Sequence, residues 1–193
     1  MNGARDKAAA GAFDYMRVLD KYYPAGSRRR EILLKHSRQV ADLALEIAHG
    51  NGLGLDDGLI ESAAMLHDVG IFLTDAPGID CHGTEPYLRH GVAGAALLKK
   101  EGAPDEIVEV ARRHTGAGIS AEDIVRHSLP LPQGGDYMPR TLLEKLICYA
   151  DKFYSKSGTM ERKSLERVRA SMLKFSPETL ERFERLHALF SGE

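Results

Sequence analysis

Six polar residues with metal-binding side chains occur where an apolar helical pattern predicts the core. Side chains three, four or seven residues apart share one face of a helix. His36, for example, lies four residues after Ile32 and four before Val40, so we expect it to point inward with them. All six residues lie on or beside such an apolar row: His36, His67, Asp68, His90, His114 and Asp151.

Buried groups of this kind need partners. An unpaired buried polar group costs about 1–3 kcal/mol, and an unpaired buried charge costs far more. One histidine on an apolar face is more often a hydrogen-bonded core residue, but two carboxylates cannot pair with four neutral imidazole rings. A divalent metal centre satisfies all six residues together. Imidazole and carboxylate are ligands that suit iron, manganese, zinc, nickel or cobalt.

The elements that must position these residues are predicted to be helices. Apolar residues recur with a helical period along nearly the whole chain, and no segment alternates convincingly like a strand. The predicted class is all-α, an irregular multi-helix bundle, in a single domain over residues 1–193. The predicted helices cover about 8–22, 28–49, 57–68, 88–101, 104–114, 121–128, 140–156, 159–174 and 177–190. Residues 73–87 are predicted to form a loop.

Composition excludes several classes of function. The net charge is −2, so we expect no broad basic surface for nucleic acid. The two cysteines, Cys81 and Cys148, lack the spacing of a metal or redox motif, which is typical of a reduced, cytoplasmic protein. No apolar run approaches a membrane span, and the first residues do not resemble a signal peptide. The prediction is a cytoplasmic protein with no membrane segment.

The order of the polar residues resembles a known signature. His36, then the pair His67–Asp68, then Asp151 is similar to the H…HD…D pattern of the HD-domain superfamily of metal-dependent phosphohydrolases, and HDVG resembles its HDIG variant. The resemblance covers about residues 30–155, with an N-terminal helix and a C-terminal helical extension outside it. It implies that these four residues hold one divalent metal ion.

Two further histidines resemble the subset of the superfamily that binds two metal ions. His90 in RHGVAGA and His114 in RHTGAGI would hold the second ion, with Asp68 as the bridge. The chain departs from the HD-type cyclic-dinucleotide phosphodiesterases, which have a lysine where Ile71 stands and a second histidine where Thr115 stands. It looks closer to small stand-alone HD proteins.

The resemblance implies a metal-dependent phosphohydrolase that acts on a nucleotide or another small phosphate ester through a metal-activated hydroxide. Asp68 and His67 are the catalytic candidates. The expected cofactors are two divalent ions, with iron or manganese favoured over zinc, nickel, cobalt or magnesium. Two alternatives stay open: a non-catalytic nucleotide- and metal-binding sensor module, and a diiron HD-type oxygenase.

A phosphate substrate needs cations near the metal ions. Three cations directly adjoin the predicted ligands in the sequence, and we predict substrate contacts for them, with a solvated helix surface as the alternative: Lys152, Arg89 and Arg113. Residues 73–87 are a candidate rim or lid. The amphipathic helices over 159–190 are predicted to pack on the core, with a homodimer through these helices as the alternative.

Overall fold

A computed structural model describes residues 13–192 of the chain. Its helices, in chain order, are α1 (Tyr15–Tyr22), α2 (Arg28–Gly50), α3 (Asp57–Leu66), α4 (His90–Lys100), α5 (Asp105–Arg113), α6 (Ala121–Arg126), α7 (Leu142–Asp151), α8 (Leu165–Leu173) and α9 (Pro177–Phe190). Strands β1 (Asp75–Ala76) and β2 (Cys81–His82) form a minimal antiparallel pair. Short 3₁₀ helices cover Ile71–Leu73, Pro77–Ile79 and Tyr87–Arg89. The all-α prediction is confirmed; residues 8–12 of the first predicted helix lie outside the described residues.

Helix starts follow the local sequence. A side-chain oxygen just before a helix can accept a hydrogen bond from a backbone N–H of its first turn, which would otherwise lack a partner. Ser27 does this for α2, Asp56 for α3 and Ser120 for α6. Thr141 caps α7 in the same way. These caps fix where the helices that carry the polar residues begin.

Around the main hydrophobic core, the helices that carry the polar residues pack as two contacting groups, one of α2, α3 and α7 and one of α4 and α5. Helix α2 lies against α3 and α7, while α4 pairs with α5, and α5 in turn contacts α3 and α7. The turn after α3 meets the start of α4 with almost no space between the backbones. A Cβ atom on Gly70 would lie 2.2 Å from the His90 carbonyl oxygen and 2.5 Å from the Gly94 nitrogen. Glycine at position 70 is therefore what lets α4 approach this turn.

The segment after α7 differs from the prediction. The helix predicted over 140–156 ends at Asp151, and the next helix begins only at Leu165. Residues 152–164 turn back instead, because the Lys163 amide donates to the Phe153 carbonyl oxygen and Gly158 adopts a positive φ of 71°. Serines at 155 and 157 beside Gly158 also have weak helix propensity. The predicted inward row of α7 therefore stops at Asp151.

The predicted loop at 73–87 is a folded hairpin. Asp75 pairs with His82 and Ala76 with Cys81, and the side chains of Ile79 and Cys81 are buried. A Cβ atom on Gly83 would lie 2.0 Å from the Leu73 carbonyl oxygen, so the hairpin closes tightly on its own start. Its role as a rim or lid stays a prediction.

The C-terminal helices pack on the core through part of their apolar surface. Helix α9 contacts α7 and α8, and the Phe183 ring stacks on Tyr149 with centroids 5.7 Å apart. Phe175, which the amphipathic pattern includes, is 67% exposed. The homodimer through these helices stays a prediction. Across residues 13–192, no helix has the length and apolar character needed to cross a bilayer.

Candidate metal centre

The structure brings all six predicted ligands together in two overlapping groups. The first set is His36, His67, Asp68 and Asp151, and the second set is Asp68, His90 and His114. Within each set the candidate ligand atoms lie within 4.8 Å of one another, and every residue is buried. Asp68 belongs to both sets, as expected for a bridging carboxylate.

Most of these residues lie at helix ends. His67 and His114 directly follow the last residues of α3 and α5, His90 begins α4, and Asp151 ends α7. His36 lies inside α2, on its buried face. The ends of α3, α5 and α7 and the start of α4 meet beside the buried face of α2. Side chains from five helices therefore share one small volume.

Three of the histidines are oriented by their own backbone. The Nδ1 atom lies 2.6 Å from the Ala64 carbonyl oxygen in His67, 2.7 Å from that of Tyr87 in His90, and 2.8 Å from that of Ala111 in His114. A carbonyl oxygen only accepts, so Nδ1 must carry the proton in each ring. Each Nε2 atom is thereby directed into the centre, as in histidines that bind metal ions.

The second set has an unfavourable contact that a cation would relieve. The Nε2 atoms of His90 and His114 lie 3.0 Å apart. Burial lowers the pKa of His90 to about 3 and also lowers the pKa of His114, so both rings are neutral near pH 7. With the proton of each ring on Nδ1, the two Nε2 lone pairs face each other and no hydrogen bond can form between them. This donor pair fits a divalent metal ion.

Asp68 offers one oxygen to each set. Its Oδ2 atom lies 3.1 Å from Nε2 of both His36 and His67, whereas Oδ1 lies 3.4 Å from Nε2 of His90 and 3.3 Å from that of His114. The residue is fully buried, yet neither oxygen has a partner with hydrogen-bond geometry within the described part of the chain. Two buried carboxylate oxygens without such partners also fit a metal ligand.

The first set has a different charge state. Burial would raise the pKa of Asp68, but the Lys156 ammonium and His67 hold that pKa well below its usual range. Burial would lower the pKa of His67, but the Asp68 and Asp151 carboxylates outweigh it and raise that pKa to about 9. His67 therefore carries a second proton near pH 7, and an entering metal ion must displace it.

The three predicted substrate cations are all engaged by the protein. The Lys152 ammonium donates to the His114 carbonyl oxygen at 3.1 Å and lies 2.7 Å from Asp151 Oδ2. Arg89 pairs with a glutamate at 85 over 3.1 Å, and Arg113 pairs with glutamates at 109 and 144 over 2.8 and 3.1 Å. Their role in substrate binding stays a prediction. Of these three cations, Lys152 lies nearest to the centre, because it contacts two of the candidate ligands, Asp151 and His114.

The structure adds a cation that the sequence analysis missed. The Lys156 Nζ atom lies 2.6 Å from Asp68 Oδ2, and its side chain is only 14% exposed. Burial would lower the pKa of Lys156, but Asp68 raises it above the usual range, so the ammonium stays charged. In a helix continued through 156, Lys156 would point about 140° away from the Asp151 face. The early end of α7 brings it to the centre instead.

Tyr87 forms one wall beside the second set. Its ring centroid is 4.8 Å from that of His90 and 6.0 Å from the Lys156 Nζ atom. The residue is 38% exposed, so this wall lies partly at the protein surface. Partial burial raises the pKa of Tyr87 to about 12, so its hydroxyl is neutral and can donate a hydrogen bond near pH 7.

Comparisons with known proteins agree with this geometry. The family model for the HD domain matches residues 33–155. The HD domain of the L. monocytogenes phosphodiesterase PgpH superposes with a TM-score of 0.53 at 17% identity, over 93% of this chain and 98% of that one, which shows the fold alone.

Three curated relatives are also similar in sequence. A tRNA (cytidine(56)-2'-O)-methyltransferase of Thermoplasma volcanium is 31% identical over 92% of this chain and 47% of its own length. The Picrophilus torridus protein of the same name is 33% identical over 70% and 35%. An uncharacterized protein of Methanocaldococcus jannaschii is 36% identical over 63% and 65%. The chain thus spans between about a third and two thirds of the length of these relatives.

The HD-domain match covers the segment that contributes every residue of both sets. The helical fold and the clustered histidines and aspartates agree with it. The chain belongs to the HD-domain family.

Proposed function

We propose that the protein hydrolyses a nucleotide or another small phosphate ester at a pair of divalent metal ions. One observation carries the proposal: Asp68 turns one oxygen to the histidines of the first set and the other to those of the second. A carboxylate shared in this way suits two ions held about 3.5–4 Å apart.

The chain's own residues support hydrolysis in three ways. Asp68 stays ionised because its pKa is held low, so it serves as a ligand and not as a proton donor. The backbone-oriented histidines present Nε2 without rearrangement. Lys156 adds positive charge beside the bridge. Bound divalent ions would supply Lewis acidity toward phosphate oxygens and lower the pKa of a coordinated water.

The names of two relatives favour a second candidate, a role in tRNA modification. Those names describe proteins of which the matched region is 35% and 47%. We rank this candidate second because methyl transfer to a ribose hydroxyl does not require a buried cluster of imidazole and carboxylate groups. Incubating the protein with tRNA and a labelled methyl donor tests it directly, since methyl incorporation into tRNA would establish the second candidate.

The proposed hydrolysis is tested by metal analysis of freshly purified protein, followed by a phosphate-release screen over nucleotides and small phosphate esters. We expect about two divalent ions per chain and turnover that stops on chelation and returns with the metal. His36→Ala should lose both metal and turnover. His49→Ala is the matched control, because His49 is exposed and, within residues 13–192, pairs only with Asp57. Metal-loaded protein that releases no phosphate from any ester would contradict the proposal.

The same preparation separates the two remaining alternatives. A sensor module would bind nucleotide tightly and never turn it over, whichever metal is restored. A diiron oxygenase would consume oxygen with its substrate and would be inactive under anaerobic conditions. Phosphate release that proceeds equally with and without oxygen supports the hydrolase over both.

A further inference from the structure

The two buried carboxylates of the centre are already neutralised by lysines. Asp68 lies 2.6 Å from the Lys156 ammonium, and Asp151 lies 2.7 Å from the Lys152 ammonium. All four side chains are buried or nearly so. Two anions and two cations of this kind carry no net charge together. The protein therefore has no spare negative charge here to balance divalent ions.

Divalent ions that enter such a site add buried positive charge, and uncompensated buried charge is costly. An anionic substrate supplies the compensation. A terminal phosphoryl group carries about −1.5 to −2 charges near neutral pH, whereas a phosphodiester carries a single charge. The charge balance thus favours a phosphomonoester or the terminal phosphate of a nucleotide.

The two lysines differ in how firmly the protein holds them. Lys152 follows α7 directly, and its ammonium also donates to the His114 carbonyl oxygen. Lys156 lies in the non-helical segment 152–164, and its ammonium is held by the Asp68 carboxylate and by the face of the Tyr87 ring. Among the described residues, Asp68 is the only carboxylate within ion-pair distance of Lys156. Lys156 is therefore the cation that can turn from the bridge to a substrate.

The side on which a substrate would enter is next to Lys156. The partly exposed Tyr87 ring lies 6.0 Å from the Lys156 Nζ atom and 4.8 Å from the ring of His90. Lys156 thus stands between the bridging carboxylate and an exposed aromatic wall. A phosphoryl group at the metal ions would lie within reach of its ammonium, with the ester group toward Tyr87.

We propose that Lys156 is the phosphate-binding residue of this centre, and that it selects a terminal, dianionic phosphoryl group. The ammonium leaves Asp68 Oδ2 when metal ions occupy the bridge, and it then donates to a non-bridging phosphate oxygen. This inference rests on the proposed hydrolase function and names the class of substrate, a phosphomonoester.

The test measures binding of inorganic phosphate to manganese-loaded protein by calorimetry, together with manganese content. We expect Lys156→Met to keep its manganese and to bind phosphate about 10- to 100-fold more weakly, because a charge-assisted hydrogen bond is lost. Lys156→Arg should recover most of the affinity. Lys99→Met, an exposed lysine at the end of α4, is the control and should bind like the original protein.

A second measurement tests the substrate class. Lys156→Met should lower kcat/KM for p-nitrophenyl phosphate more than for bis(p-nitrophenyl) phosphate, since only the monoester carries two charges. Unchanged phosphate affinity in Lys156→Met would overturn the inference. So would loss of manganese in step with loss of phosphate, because Lys156 would then act only by maintaining the metal ligands.

The two proposals can fail separately. Should the original protein hydrolyse phosphate esters while Lys156→Met does so equally well, hydrolysis stands and the role of Lys156 fails. Should the metal-loaded protein bind phosphate through Lys156 but hydrolyse no ester, the anion site stands and the hydrolase proposal fails.

Discussion

The first and second sets share Asp68 but differ in charge and in the helices that carry them. The first set adds a second carboxylate, Asp151, and a histidine whose pKa is raised to about 9. The second adds two neutral histidines whose pKa values are lowered by burial. Helices α2, α3 and α7 carry the first set, whereas the second depends on where α4 and α5 lie against them.

This difference indicates an order of filling. The first set offers a divalent ion four candidate ligand residues, two of them carboxylates, whereas the second offers three, of which only the shared Asp68 is a carboxylate. Once the first set holds an ion, Asp68 keeps only its Oδ1 atom for the second. We therefore expect the first set to bind its ion tightly, and the second set to bind an ion only after the first is filled.

The largest expected effect is the loss of the shared residue. In Asp68→Asn an amide replaces the bridging carboxylate, so the second set loses its one carboxylate and the first set keeps only Asp151. We expect metal analysis to find neither ion, and kcat to fall about a thousand-fold or more. Asp57→Asn is the control, because Asp57 is exposed and its one ion pair in the described part of the chain is with His49. Retention of one ion by Asp68→Asn would contradict the expected loss of both, and retention of both ions would show that the sets do not share a bridge.

One variant in each set tests the order of filling. His36→Ala should leave the protein without either ion, because the first set loses a ligand and the second ion binds only after the first. His114→Ala should keep about one ion, in the first set, and still lose hydrolysis. Metal content after desalting distinguishes the two variants.

The exposed His127 supplies a matched control for the histidine substitutions, and His127→Ala should keep both ions. Equal metal loss in His36→Ala and His114→Ala would mean that the ions bind only as a pair. That result would remove the distinction between the sets.

A smaller effect is expected where the two sets are joined through the backbone. In Gly70→Ala the new Cβ atom would overlap the His90 carbonyl oxygen, so α4 must shift and carry His90 with it. We expect about 1–3 kcal/mol lower stability in urea unfolding, together with loss of the second ion only. Gly50→Ala is the control, because no atom of the described residues lies within 4 Å of a Cβ atom there. Loss of the ion of the first set instead would contradict the division of the centre into two sets that depend on different helices.

The smallest expected effect is a difference in pH dependence. A metal ion entering the first set must displace the second proton of His67, whose pKa is about 9. Its affinity should therefore rise about tenfold per pH unit between pH 6.5 and 8.5. His90, with a pKa of about 3, has no second proton to displace in this range. The affinity of the second set for its ion should therefore stay nearly constant. Calorimetry in buffers of different ionisation enthalpy measures both affinities and the protons released on binding.

Much of the centre could be predicted from the sequence because its residues lie on or beside apolar helical rows. The position of His36 between Ile32 and Val40 is such a case, and the structure buries it as expected. The pattern also places Asp151 correctly, although it lies at the very end of its helix. Helical spacing indicates which face a residue occupies, and that is sufficient to predict which candidate ligands on helices point inward.

Lys156 could not be predicted in this way, because its position depends on where a helix stops. No apolar period describes residues 152–164, whose path is determined by turns and by the bonds of Lys163 to carbonyl oxygens at 152 and 153. Tyr87 was hidden for a similar reason, in a short 3₁₀ helix next to a hairpin. Side chains that irregular backbone brings together leave no repeating signal in the sequence.

The backbone carbonyls that orient the histidines have an evolutionary consequence. Each carbonyl comes from the residue three positions earlier, and its oxygen is present whatever side chain that residue carries. Substitutions around the centre can therefore accumulate without disturbing how the imidazoles are presented. A site built on its own main chain tolerates drift in the residues around it, and this leaves the substrate-facing walls free to diversify toward new specificities.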